Sequence, residues 1–254
     1  MNYRHLIRTL STIKRSLRSV LEENAELVID AAIRDLKDSK EKYDWFQRRK
    51  DLIKKPDDWG YEILTPPLRF KMARYKGYTL RPDIICNFRW QQEGALPSTQ
   101  ELVLRVWSAD EHLIYREAYD SEAIAELFTA PHNGLSERVM LRCHFDLANP
   151  KQSGPKYHLQ IGGNPRAGEH CWYPKELDLP RLLHHPLDLL LLCQLVVANF
   201  YPNDYEQIRL DSTWRWAVTT VERYLLEEYY AKCLEVIRDR KRMLLDELWN
   251  KGRG

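Results

Sequence analysis

The hydrophobic residues of this chain change their spacing twice, and each change separates whole blocks of sequence. From Tyr3 to Leu36 they recur every three to four residues: Leu6, Leu10, Ile13, Leu17 and Val20, then Leu27, Ala31 and Leu36. That is the period of helices with one apolar stripe. From Tyr61 to Gly163 the period drops to two, and beyond His185 it returns to helical. Helices and strands gathered in separate runs predict an α+β fold rather than a doubly wound parallel sheet. The expected architecture is N-terminal helices, a central, mostly antiparallel sheet of five or six strands, a buried C-terminal helix and a long terminal helix. Residues 1–58 read as a helical segment and 59–254 as the α+β core, together one compact unit.

Within the first block, Asn24 is placed to cap a second helix. Lys37 to Asp58, dense in mixed charge, continues that helix or links it to the sheet, and Pro56 with Gly60 ends it. In the middle block Tyr61–Thr65 reads as a strand halted by Pro66-Pro67. Tyr78–Trp90 puts Leu80, Ile84, Cys86, Phe88 and Trp90 on one face, with Pro82 at an edge or a bulge. Glu101–Trp107 and His112–Tyr119 suggest a hairpin about Ala109-Asp110, with a short helix from Asp120 or Ser121 to Phe128.

The run Arg138–Leu147 alternates most clearly. Val139, Leu141, Cys143, Phe145 and Leu147 fall on one face, and Met140, Arg142, His144 and Asp146 on the other. Tyr157, Leu159 and Ile161 oppose His158 and Gln160 in the same way, and Asn149-Pro150 and Gly154-Pro155 supply the reversal. A hairpin folded near Lys151 sets His144 opposite His158. Further on, Pro186 is expected at the first position of a helix that stops before Pro202. Leu187–Phe200 is apolar nearly all round, as a helix buried beneath the sheet requires. Asp211 or Ser212 caps a last helix running from Thr213 to about Leu248, with Val218, Val221, Leu225, Tyr229, Cys233, Ile237, Leu244 and Leu248 as its stripe.

Several classes of function are excluded or unsupported. No Gly-x-x-x-x-Gly-Lys-Ser/Thr, Gly-x-Ser-x-Gly, His-Glu-x-x-His or Gly-x-Gly-x-x-Gly occurs, and no cofactor is called for. The five cysteines include no Cys-x-x-Cys pair, so a zinc ribbon is out and a reducing cytoplasm is the expected setting. The longest apolar run is interrupted by Asp188, Gln194 and Asn199 and is too short to cross a bilayer. A net charge of +2 decides nothing, but Arg4, Arg8, Lys14, Arg15 and Arg18 stand without an acid in the first twenty residues. Such a block can meet phosphates, and equally can be a solvated helix face.

The polar face of the predicted hairpin gathers Arg142, His144, Asp146, His158 and Gln160. Two imidazoles there can act as general base and acid on a phosphodiester while Arg142 holds the phosphate, with Gln160, Arg4, Arg8 and Arg15 as substrate contacts. His144, Asp146 and His158 as ligands of a divalent metal are an alternative, and polar residues of a half-exposed sheet are another. Pro82-Asp83 followed by Glu101 and Arg105 loosely resembles a Pro-Asp…(Asp/Glu)-x-Lys nuclease core, with Arg105 two positions late. His184-His185 reads as a loop or cap feature, and His170-Cys171 as a further ligand source.

Phe145-Asp146, then Tyr157-His-Leu-Gln-Ile-Gly-Gly163, then a His-Pro-led helix resemble uncharacterised bacterial proteins found near mobile-element and defence genes. The strand pair is also similar, more loosely, to small bacterial ribonuclease toxins that carry an Asp and a later histidine cluster. That resemblance implies a defence or toxin-type protein acting on nucleic acid, RNA before DNA, as a metal-independent ribonuclease. The alternative is a non-catalytic subunit of a defence or toxin–antitoxin complex, binding a protein partner or a second copy through its terminal helices. No membrane is involved in either.

Overall fold

The computed structural model describes residues 3–49, 60–91, 97–108, 138–148, 153–162 and 181–251. The expected hairpin strand His112–Tyr119, the helix after Asp120, the loop at Pro131–Gly134, and Gly163 and His170-Cys171 lie outside them. The fold is α+β, with helices at both ends of the chain and a large antiparallel sheet between them.

Helix α1 (Tyr3–Ser16) buries Leu6, Thr9, Leu10 and Ile13, the stripe its spacing predicts. Helix α2 (Ala25–Gln47) carries the mixed-charge segment as a helical extension. Its buried stripe is Ile29, Ala32 and Leu36, whereas Leu27 is exposed. Asn24 occupies the N-cap position, yet its backbone is already helical and its side chain caps nothing. The buried Lys40 lies with its Nζ 5.9, 5.5 and 5.7 Å from the ring centres of Tyr3, Tyr43 and Tyr61 and is paired with Asp44. Cation–π attraction and one carboxylate offset its desolvation.

The strands are β1 (Tyr61–Leu64), β2 (Leu68–Arg69), β3 (Ala73–Tyr75), β4 (Tyr78–Trp90), β5 (Thr99–Ser108), β6 (Arg138–Leu147), β7 (Ser153–Pro155), β8 (Tyr157–Ile161) and β9 (Leu182–Leu183). β1, β2 and β3 line one side of β4 in succession, and the sheet then runs β4-β5-β6-β8-β9. That makes six positions across. Pro82 sits where the flanking strand is interrupted between β2 and β3, and its carbonyl accepts from Phe70 N–H at 3.0 Å. The missing amide hydrogen of proline is tolerated at such a break.

One face of the sheet is apolar. Tyr61, Ile84, Cys86, Phe88, Trp90, Leu102, Leu104, Cys143 and Phe145 share a single core with α1, α2 and the C-terminal helices. Helix α3 (Leu189–Phe200) lies within that core, as its nearly uniform apolarity requires. It starts three residues after Pro186, because the Asp188 carboxylate accepts from Leu191 N–H at 2.9 Å and fixes the N-cap there. Helix α4 (Pro202–Ile208) begins on the proline that ends α3.

The last helix is not a single rod. Asp211 caps α5 (Ser212–Glu222), a π-helical turn spans Arg223–Glu227, and α6 (Glu228–Arg238) follows without a gap. The chain then breaks before α7 (Leu244–Leu248) and a final strand, β10 (Trp249–Lys251). Beyond the π turn Cys233 and Val236 are buried and Ile237 is exposed. Strand β10 pairs with β7 in a small separate sheet, which ties residues 249–251 to the loop between β6 and β8.

Candidate functional site

The second face of the sheet carries polar rows, and the register states their membership. Asp83 faces Arg105, which faces Arg142. The next row is Ile85, Val103, His144 and Gln160. The third is Asn87, Glu101, Asp146 and His158. A bulge between Val106 and Trp107 sets Val139 opposite Trp107, so Val139 belongs to this face and not to the apolar one.

The predicted hairpin exists with a shifted register. His144 pairs with Gln160, and His158 pairs with Asp146. The loop is longer than a fold at Lys151 allows because Ser153–Pro155 is drawn out to pair with β10. The Ala148 N–H closes on the Lys156 carbonyl at 2.7 Å. A shift of two residues keeps side chains on the same face. His144 and His158 are therefore diagonal neighbours, with Cα atoms about 7–8 Å apart.

Both rings are buried and hydrogen-bonded. Arg142 Nε donates to His144 Nε2 at 2.8 Å, so that nitrogen is the unprotonated one and Nδ1 carries the hydrogen. His144 Nδ1 faces two carboxylates, Glu101 Oε1 at 3.6 Å and Asp146 Oδ2 at 4.0 Å, both beyond hydrogen-bond range. His158 Nδ1 lies 3.2 Å from the Pro155 carbonyl and donates to it, which leaves the lone pair on Nε2. Burial pushes His158 below its ordinary range, the Pro155 bond opposes this, and Arg181 and His144 add to it.

Asp146 is the most perturbed group of the face. Burial raises its carboxyl to about 6; His144 and Arg181 act against the rise, and the Glu101 charge reinforces it. Its Oδ1 is buried and makes no hydrogen bond. Glu101 and Asp146 stand directly opposite one another in register, an arrangement that like charges disfavour. They are also less buried than the histidines, so these two carboxylates are the more accessible members of the face among the described residues. Sequence reasoning missed Glu101 as a partner of Asp146 and missed Arg181 altogether. Glu101 is placed by the pairing of β5 with β6, which alternation alone does not give, and Arg181 belongs to no motif.

The remaining candidates are placed differently. Asp83 accepts from Arg105 Nε and Nη2, both at 2.7 Å, and from Trp107 Nε1 at 2.9 Å. Glu101 lies four residues along β5 from Arg105, about 13 Å on a strand. Asp83, Glu101 and Arg105 therefore form a buried ion pair and a distant acid, not a nuclease core. Arg4, Arg8 and Arg15 are on α1, which packs against the apolar face, so the fold does not bring them to the polar one. Arg15 contacts Thr213 and lies 3.8 Å from Asp211 at the start of α5. His184 packs edge-on to Phe145 in the loop before α3. Among the described residues no three His, Cys, Asp or Glu side chains are arranged to hold a metal ion.

No family model, curated protein or solved structure matches this chain. Its chemistry has to be read from its own residues. Those present the Arg142 guanidinium bonded to His144, a ring nitrogen of His158 with its lone pair free of hydrogen, and the Asp146 carboxyl raised to about 6 beside His144. No described helix is long and apolar enough to cross a membrane.

Proposed function

We propose that the polar face cleaves phosphodiesters of RNA by acid–base chemistry. The observation that carries this reading is Asp146, a carboxyl held at about 6 with an unpartnered buried oxygen, directly across the ladder from His158 and beside His144. Groups poised near the working pH in a buried polar cluster mark acid–base sites. His158 Nε2 takes the proton of a 2′-hydroxyl, whose oxygen forms a bond to the adjacent phosphorus. The bond from phosphorus to the 5′-oxygen breaks, and the Asp146 carboxyl protonates that oxygen. The products are a 2′,3′-cyclic phosphate and a 5′-hydroxyl. Arg142 holds the non-bridging oxygens, and its planar fork suits them. The nucleophile is the hydroxyl that DNA lacks, so RNA is the substrate. A defence or toxin setting belongs to the same reading and rests on the resemblance of the β6–β8 segment.

The test is incubation of labelled single-stranded RNA with wild type, Asp146→Asn and His158→Ala, with and without EDTA. Cleavage that persists in EDTA and is lost in both folded variants supports the reading, and intact RNA in the wild-type lanes sinks it.

A second reading has its own observation. Trp216, Tyr230, Leu234 and Ile237 are exposed along α5 and α6, and large apolar side chains on an outer helical surface favour a protein partner. A monodisperse monomer that co-purifies with nothing counts against it.

A further inference from the structure

We propose that a cavity on the apolar side of the sheet, between β8 and the last long helix, binds a small alkylated ammonium ion of the choline kind. It is a second site. Tyr157, which lines it, alternates with His158 along β8 and so lies on the side of the sheet away from the polar rows. The proposal therefore goes beyond the ribonuclease reading and does not depend on it.

The cavity holds about 180 Å³, room for a small ligand and far more than one water needs. Leu183 on β9, Pro186, Leu225 and Leu248 give it an apolar lining, and Tyr157, Tyr224 and Tyr229 an aromatic one. The rings of Tyr157 and Tyr229 stand at 85° with their centres 6.2 Å apart, two sides of a corner. Tyr224 is backed by the His5 ring, whose centre is 6.3 Å away and whose plane is inclined by 26°. Tyr224 and Leu225 belong to the π-helical turn Arg223–Glu227. Turns of that kind occur frequently at functional sites.

The charges of the lining decide the sign of the ligand. Four of its side chains are ionic: Lys156, Glu228, Lys232 and Glu247. Glu247 is held by Lys232 at 2.8 Å and by Arg242 at 2.7 Å. The Lys156 ammonium donates to the Glu247 carbonyl at 3.0 Å. Both lysines are thus committed to the α7 end of the cavity. Glu228, at the start of α6, forms no ion pair among the described residues. Its charge reaches the aromatic corner: burial chiefly, and then the Glu228 carboxylate, raise the Tyr157 phenol. Aromatic faces beside a carboxylate attract an organic cation. A primary ammonium would bring three N–H donors that need acceptors, whereas the methyl groups of an alkylated one match the leucines and the proline. A bare metal ion is unsuited, since no described His, Cys, Asp or Glu cluster is arranged to hold one.

The experiment follows isotope-labelled tyrosine rings of the full chain by NMR at constant ionic strength. The probes are choline, its neutral isostere with carbon in place of the ammonium nitrogen, inorganic phosphate, and a peptide bearing one trimethylated lysine. Choline should give a saturable shift confined to Tyr157, Tyr224 and Tyr229 and their ring neighbours, among fourteen tyrosines in all. The neutral isostere should bind about tenfold more weakly. Glu228→Gln, at an exposed position, should weaken choline about fivefold and leave the isostere unchanged. Tyr224→Leu should weaken choline about threefold or more. Should that variant fail to fold, Glu228→Gln and the isostere decide. Absence of a saturable choline shift at tens of millimolar, or isostere binding equal to that of choline, overturns the proposal. A response of these rings to phosphate makes the cavity an anion site and overturns it too. A peptide bound more tightly than choline makes the occupant a protein side chain and overturns the small-ligand assignment.

Discussion

The ion pair between Asp83 and Arg105 supports the sharpest stability prediction. Asp83 is fully buried and accepts three bonds, two from Arg105 at 2.7 Å and one from Trp107 at 2.9 Å. Arg105→Ala removes the compensating charge and two of those bonds while the carboxylate stays in the sheet. Breaking a buried pair from one side costs about 3–5 kcal/mol. For a chain of this size each kcal/mol lowers Tm by about 2–4 °C, so a fall of about 6–20 °C is expected. Asp83→Leu/Arg105→Met removes both charges and leaves chiefly the Trp107 indole N–H without its acceptor, at about 1–3 kcal/mol. Urea unfolding followed by tryptophan fluorescence and by circular dichroism, with coincident transitions, compares wild type with the two variants. The double variant should be more stable than Arg105→Ala. Should Arg105→Ala cost less than about 1 kcal/mol, or as little as the double variant, the buried-charge reasoning is refuted.

Three further outcomes are expected. If Asp146 donates the proton, kcat/KM of the wild type on RNA falls as pH rises through about 6; a rate that stays level through that range refutes the assignment. Asp188 is buried with Oδ2 unpartnered, and burial lifts it to about 6 against its bonds to Leu191 and Leu190. Its folded-state value exceeds its unfolded one, so its contribution to stability is full below about 4 and lost as pH rises through about 6. Stability measured by urea at pH 4 and pH 7 should therefore shift by about 2–3 kcal/mol in favour of Asp188→Asn, and no shift refutes the claim. Trp249→Ala removes the indole bond to Ser153 Oγ, at 3.2 Å, and should raise amide exchange at residues 153–156 with little change in Tm, whereas unaltered exchange would mean that β10 does not hold the loop.

Much of the fold was legible because it is local. The alternation of Val139–Leu147 and Tyr157–Ile161 names two faces whatever the pairing, and the apolar surround of Leu189–Val197 can only be buried. What needed the structure was set by distant partners. The hairpin register depends on β10, about ninety residues from β7, so the loop residues alone misplace His144 by one pair. The start of α3 hung on which of two helix-start signals prevailed, and the Asp188 carboxylate prevailed over Pro186. At the site, alternation placed Arg142, His144 and Asp146 together. It could not reveal that Arg142 bonds to His144 or that Glu101 stands opposite Asp146, since both follow from side-chain reach and from strand β5. Arg4, Arg8 and Arg15 look like a phosphate-binding block in one dimension, but the helix carrying them is folded onto the other side of the sheet.

The pairing of β10 with β7 sets an order of events during synthesis. Chains fold from the N-terminus as they leave the ribosome. The β6–β8 hairpin that carries Asp146 and His158 can form early, yet Lys156 N–H and the strand Ser153–Pro155 find their partners only when Leu248 and residues 249–251 have emerged. A protein that cuts RNA would gain from this, because the nascent chain stays tethered to a messenger and to ribosomal RNA. The loop that closes the hairpin is thus completed by residues made long after the hairpin itself.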